Sequence, residues 1–302
     1  MDNQTGVFVG LSTLDLSYTV DRYPVEDTKT RAGELFLGAG GPAANAAITH
    51  AYLSHRRLPG LARGTGLMTA LGSHALAQPI RTELQQFGIQ IWDEAAGDAD
   101  RPPVSSIVVA SETGTRTIVS TDGAERDPYP PGEPYYLDDA DIVLVDGHYP
   151  RLAFEAAGLA GGIPVVLDGG RWREEVHRKL LPDITIAICS EKFAPPELDS
   201  GHIDEVIDFL HATGPRLVAI TRGGRSIRYS TPDGRGEIPV ATDGIVDTLG
   251  AGDILHGAFC YFSALGEEFP LALRHAAEVA SFSCRYTGTR EWMRHFDIQS
   301  IR

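Results

Sequence analysis

Short, almost wholly apolar runs recur along the chain, and between them apolar residues return at helical spacing. The runs are Val7 to Gly10, Asp141 to Asp146 (DIVLVD), Ile163 to Asp168 (IPVVLD), Ile184 to Cys189 (ITIAIC) and Leu217 to Thr221 (LVAIT). Strands buried on both faces read in this way, and parallel sheets are built from them. The spacing predicts helices over 153–160, 174–181 and 204–212. Such alternation predicts an α/β fold: a doubly wound, Rossmann-like, mainly parallel sheet with helices on both faces.

Two stretches break the rhythm. Leu16 to Leu37 holds two alternating segments around a polar turn, and Ser105 to Thr121 (SSIVVASETGTRTIVST) reads as a hairpin about Glu112–Gly114. Alternation marks half-exposed, antiparallel strands. A small antiparallel β-sheet lid is therefore expected, inserted at about 14–37 and 104–122 of a single α/β domain covering 1–302.

Charge narrows the function. Lys and Arg number 26 and Asp and Glu 41, so the net charge is 26 − 41 = −15. An acidic surface repels phosphate backbones and anionic lipid, which argues against nucleic-acid and membrane-surface roles. The three cysteines, Cys189, Cys260 and Cys284, lie in apolar stretches with no CxxC. That pattern fits a reducing cytoplasm and not a disulfide framework. The first residues, MDNQTGVFVG, carry no basic segment before an apolar one, and no stretch reads as a membrane span.

Glycine is in excess, 33 of 302 residues, or about 11% against a typical ~7%. Much of its information lies in two clusters. The first is Gly38-Ala39-Gly40-Gly41-Pro42-Ala43-Ala44-Asn45, ahead of a helix expected from Ala43 to about Tyr52. Proline suits a first helical position, and glycines let a ligand approach the backbone and the free amides of the first turn. A tight turn packing helix on sheet would look the same. The letters also satisfy G-x-G-x-x-A, a dinucleotide fingerprint that calls for an acid about 20 residues on. None occurs between Glu34 and Glu83, which discounts a dehydrogenase.

The second cluster is Asp247-Thr248-Leu249-Gly250-Ala251-Gly252-Asp253, followed at once by the apolar run ILHGAFCYFSAL, read as a helix from Ile254 to Leu265. Amides released by the glycines, together with the positive end of the helix dipole, suit a phosphate or the charge developing on a transferring phosphoryl group. Asp253 would serve as an ordinary N-terminal cap, but a cap needs no G-A-G before it. A carboxylate beside an anion hole suits a base that deprotonates an attacking hydroxyl. Neither G-x-x-x-x-G-K-[ST] nor HExxH nor GxSxG occurs. His256, inside the apolar run, reads as a packed histidine.

GGPAAN at 40–45 and DTLGAGD at 247–253 lie about 200 residues apart, and together they resemble the two signatures of the ribokinase-like (PfkB) sugar kinases. The run from Asp15 through Lys29 to the first cluster, with LDGG at 167–170 and GAGDILHGAF at 250–259, looks most like the ketohexokinase and sulfofructose kinase branch. The resemblance implies ATP-dependent phosphorylation of a sugar hydroxyl, with Mg²⁺ and a small sheet acting as a lid. A monovalent cation is left open. It implies Asp253 as base, Gly250, Ala251 and Gly252 as anion hole, and Asp15, Gly40, Gly41 and Asn45 on the sugar. Lys29 and Arg116, read as lying on lid strands, would touch an anionic or hydroxylated end of the substrate.

On the nucleotide side the same resemblance implies Thr221, Gly223, Thr248, Gly250 and Gly252 as ATP contacts, with Ser226 standing where the family turn ends in glycine. The family's N-x-x-E element is replaced by Ser190-Glu191-Lys192-Phe193. That leaves Glu191, with Asp168 at a strand end, as candidate metal residues. A nucleoside kinase of the same fold and a catalytically silent sugar-binding relative are the alternative readings. Exposed lid edges need cover, which suggests a homodimer through the lid.

Overall fold

The structure, a computed structural model, describes residues 5–57, 64–113, 115–121, 123, 126–132 and 135–301. Along the chain run β1 (Gly6–Val9), β2 (Thr13–Val20), β3 (Glu34–Gly40), α1 (Pro42–Arg57), β4 (Thr65–Thr69), α2 (Ala77–Gln86), β5 (Gln90–Asp93), β6 (Val104–Ala110) and β7 (Thr115–Ser120). Then come β8 (Ile142–Val145), α3 (Pro150–Gly158), β9 (Val165–Gly169), α4 (Glu174–Leu180), β10 (Ile186–Ser190), α5 (Ile203–Thr213) and β11 (Leu217–Arg222). The chain ends with β12 (Arg225–Thr231), β13 (Gly234–Ile238), α6 (Ala251–Ala264) and α7 (Phe269–Ser283).

The large sheet has nine strands in the order β13-β12-β11-β10-β9-β8-β1-β4-β5. Pairing is parallel from β11 through β5, and the β11–β12 and β12–β13 pairs at one edge are antiparallel. The continuous apolar runs have a simple cause. Successive side chains of a strand point to opposite faces, and here both faces are dry. Val7, Val9, Val143, Val145, Val165 and Leu167 pack with α3, α4 and α5, while Phe8, Ile142, Leu144 and Val166 pack with α1, α2, α6 and α7. Six elements gave no clear period in the sequence: β4, β5, β12, β13, α2 and α7. β4 (TGLMT) and β5 (QIWD) are too short to show one, and the edge hairpin β12–β13 is rich in Arg because one side meets water.

The second sheet has the order β3-β2-β6-β7. Its outer pairs are antiparallel, as the alternation predicts, but the central β2–β6 pair is parallel. The expectation of a wholly antiparallel sheet is corrected accordingly. Between β3 and β6 the chain passes through the large domain, and a crossover of that length permits parallel return. The tip of the second hairpin at Gly114, and Asp122 at the end of the expected insertion, lie outside the described residues.

α1 and α6 position everything that follows. They lie side by side, and a Cβ on Gly257 would sit 2.2 Å from the Ala46 carbonyl oxygen and 2.8 Å from Thr49 Cβ. Glycine alone admits this approach, since real Cβ atoms do not come so close to backbone. Gly257→Ala should therefore force the helices apart and destabilise the fold by about 1–3 kcal/mol, the range for overpacking. Urea unfolding of the variant checks this, and an unchanged midpoint would show that the helices separate freely.

Candidate active site

Gly250 precedes α6 in the left-handed conformation, φ 68° and ψ 7°, and a Cβ there would meet Thr289 Cγ2 at 2.6 Å. The turn before it is held by Asp247, whose carboxylate accepts from Leu249 N at 2.9 Å and Gly288 N at 2.8 Å. No side chain caps the helix. Ala251 N donates back to the Thr248 carbonyl at 3.3 Å, while the amides of Gly252 and Asp253, in the first turn, have no intrahelical acceptor and lie at the positive end of the dipole. Gly252 is exposed, with nothing within 4 Å of where its Cβ would stand. Of Gly250, Ala251 and Gly252, the expected anion hole, Gly252 is open to solvent and the Ala251 amide is taken by the turn.

Asp253 sits in the first turn of α6, half-buried. Asn45, from the first turn of α1, donates Nδ2 to its Oδ2 at 2.8 Å. Burial lifts the Asp253 carboxyl from the ordinary 3.8 to about 7, and the negative charge of Asp168 adds to this. The Asn45 hydrogen bond and His256 oppose the rise.

Asp15 is buried on β2, in the middle of the strand and not in a turn. Thr13 Oγ1 donates to its Oδ1 at 2.5 Å. Burial raises its pKa, against the hydrogen bonds from Thr13 and Ser105 and the charge of Arg290. Gly40, at the end of β3, leaves the room Asp15 occupies, since a Cβ there would fall 2.0 Å from Asp15 Oδ2. Gly41 has φ 91°, and its Cβ would strike the Leu11 carbonyl at 2.5 Å. Asp15, Gly40, Gly41 and Asn45 therefore converge beside Asp253. Because the G-x-G-x-x-A letters follow a strand of the small sheet and not of the parallel one, the dinucleotide reading has no structural support. Lys29 does not lie on a strand: it stands on the exposed loop 21–33 between β2 and β3, which is too polar to continue the sheet.

On the other side of the G-A-G turn lies a cavity of about 220 Å³. Thr221, Gly223, Thr248, Ala251 and Gly252 line it together with Ile227, Val240, Ile245, Leu255 and Ala280. Of the five expected nucleotide residues, Thr221, Gly223, Thr248 and Gly252 are among its walls and Gly250 is not. The apolar walls carried no motif. Ser226 closes the preceding turn, accepting from Arg222 Nη2 at 2.8 Å. Arg116, on β7, reaches across from the small sheet and donates to Thr248 Oγ1 at 2.7 Å. That contact sets it beside the turn before α6.

Asp168 ends β9, and burial raises its pKa. Its Oδ2 is 3.5 Å from His256 Nδ1. His256 is packed as expected, with Gly252 O 2.8 Å from Nδ1 and Ile188 O 3.0 Å from Nε2. Glu191 is not brought to Asp168. It is partly exposed and ion-paired to Arg225 at the mouth of the cleft. No group of three or more His, Cys, Asp or Glu suited to a metal occurs among the described residues.

Two residues at this site stand in no motif. Glu83 of α2 accepts from Ala39 N, and Arg290, after α7, donates to Glu83, to Asn45 and to the Ala39 carbonyl. Only long-range geometry could have found them, since the network ties positions more than 200 apart in sequence.

A carboxylate beside the open start of a helix, set between a polar pocket and an apolar slot, is the geometry a phosphotransferase of the ribokinase fold requires. Residues 4–295 match the pfkB family carbohydrate kinases, and the chain belongs to that family. It is 28% identical to the ribokinase of Bacillus subtilis over 291 residues, 91% of each chain. It is 30% identical over 158 residues to fructosamine kinase FrlD of the same organism, a match spanning 50% of this chain and 54% of that one. Among solved structures, the ribokinase of Giardia lamblia superposes with a TM-score of 0.81 at 20% identity, covering 99% of this chain and 98% of that one. The Arabidopsis thaliana ribokinase complexed with ribose and ATP superposes with a TM-score of 0.74 at 20% identity and the same coverage.

A carboxyl raised toward 7 on folding stabilises the fold below its unfolded value near 3.8 and loses that contribution as pH rises through about 7. Asp253→Asn should therefore be more stable than the wild type at pH 8, by on the order of 1–2 kcal/mol after discounting for the open side of the residue, with the gap closing by pH 4. Thermal melts of both proteins across that range check this, and equal stability at pH 8 contradicts the strained carboxylate.

Proposed function

We propose that the protein transfers the γ-phosphoryl group of ATP to a hydroxyl of a small sugar or polyol, with Asp253 as the general base. The observation that carries this is the position of Asp253. Its carboxylate stands beside the open amides of α6, between the Asp15–Asn45 pocket and the apolar slot. ATP would lay its base in the slot, near Thr221 and Gly223, and its phosphates along Thr248 and the G-A-G amides. The sugar would hydrogen-bond Asp15, Asn45 and the backbone at Gly40 and Gly41. Asp253 takes the hydroxyl proton, the freed oxygen bonds to the γ-phosphorus, and the bond from that phosphorus to the bridging oxygen breaks, releasing ADP. The open amides of the Gly250–Gly252 turn and the Arg116 guanidinium would meet the charge that develops. The relatives named above act on ribose or fructosamines, which supports a small carbohydrate as acceptor.

A buried carboxylate whose pKa is raised beside a second one is a place with surplus negative charge, and Asp168 fits a magnesium ion brought in with the nucleotide. Bound there, the ion would supply charge neutralisation on the phosphates. Glu191, held by Arg225, does not fit that role.

The register of the small sheet places Leu35, Leu37, Tyr18, Val108 and Val119 on the face turned away from Asp15. Leu35 is 58% exposed and Val119 70%. Large exposed apolar patches mark interfaces, which supports a homodimer through this sheet. No helix among the described residues is long and apolar enough to cross a membrane. The buried free thiols support a cytoplasmic setting.

Asp253→Asn should lower kcat by several powers of ten, because acid–base and orientation contributions are lost together. A coupled ADP assay over ketoses, aldoses and nucleosides reads this, and unchanged turnover would sink the assignment. In the wild type, kcat/KM should fall as pH drops through about 7, where Asp253 gains its proton and can accept none. A pH profile flat from 8 to 5 would contradict it.

A further inference from the structure

The Arg290 guanidinium makes four donations at once. Nε meets Glu83 Oε1 at 2.8 Å, Nη2 meets Ala39 O at 2.8 Å, and Nη1 meets Asn45 Oδ1 at 3.1 Å and Thr289 O at 3.2 Å. Both members of the ion pair are largely buried, with side-chain exposures of 14% and 15%. Glu83 is anchored in turn, its second oxygen accepting from Ala39 N at 2.5 Å. Gly38 makes room for it: a Cβ there would fall on Glu83 Oε2. The first glycine of the cluster therefore serves this clamp and not a ligand.

A side-chain amide has two ends, and its orientation must be set by its partners. Guanidinium N–H groups only donate, so the end of Asn45 facing Arg290 must be the carbonyl oxygen. The other end, Nδ2, is then the one 2.8 Å from Asp253 Oδ2. With the amide reversed, NH₂ would face guanidinium and carbonyl oxygen would face carboxylate, both unfavourable. We infer that Arg290, clamped by Glu83, is a positioning residue that fixes the polarity of the Asn45 amide and so keeps an N–H, and not a carbonyl oxygen, on the Asp253 carboxylate. The inference rests on the kinase reading for its consequence in turnover, but its geometry is independent of it. Lysine cannot replace the fork, because an ammonium on a flexible stem cannot meet three fixed acceptors in one plane.

The test is a double-mutant cycle on sugar phosphorylation with Arg290→Lys and Asn45→Ala, together with the ¹⁵N resonances of the Asn45 side chain, identified by their loss in Asn45→Ala. Arg290→Lys should lower kcat/KM for the sugar about tenfold or more while KM for ATP stays within about twofold, and the same change in the Asn45→Ala background should have little effect, the signature of coupled residues. The Asn45 resonances should shift in Arg290→Lys. Losses that multiply independently, or resonances that stay in place, overturn the inference. Should Arg290→Lys fail to fold, Glu83→Gln loosens the clamp from the other side and carries the same expectations. If the wild type phosphorylates no sugar, the kinase reading fails, and the resonances alone then decide whether Arg290 sets the amide.

Discussion

A carboxylate held at the positive end of one helix by an amide from the end of another is the constraint on which the site depends. Asp253 belongs to α6 and Asn45 to α1, and the hydrogen bond between them exists only because the two helices start at the same point and lie nearly in contact. Gly41 turns the chain into α1, Gly250 turns it into α6, and Gly257 lets the pair close up. Each glycine is required by space or by a positive φ. The sheet supplies the platform, and the helix pair supplies the chemistry.

The small sheet completes the site from above. Asp15 is carried in on β2 beside the end of β3, and the same face of the sheet sends Arg116 to the turn before α6. One face therefore touches both the polar pocket and the turn before α6. The opposite face is apolar and exposed, so the two sides of four strands are under different demands, one from ligands and one from neighbours.

Most of this was legible in the residues. The strands buried on both faces announced themselves by continuous β-branched runs, and Gly250, Gly252 and Asp253 by the glycine cluster ahead of an apolar helix, while Gly41 and Asn45 entered through the resemblance to the sugar kinases. What was hidden has physical causes. β12 and β13 are a charged edge hairpin, and β4 and β5 are too short to show a period. Lys29 was read onto a strand that gives way to a loop, and the ion pair of Glu191 with Arg225, two strands away, left no sign in the sequence. Glu83 and Arg290 belong to no local pattern, because a hydrogen-bond network between α2, β3, α1 and the chain after α7 leaves no imprint on any single window of sequence.

The slot beside the G-A-G turn is walled by aliphatic side chains, small residues and backbone, with no charged side chain among its lining residues. Such walls recognise a flat heteroaromatic ring by its thickness. Under the proposed reading, shape does most of the selecting, and Thr221 and Ser281 are the wall hydroxyls through which one heteroaromatic ring could be told from another.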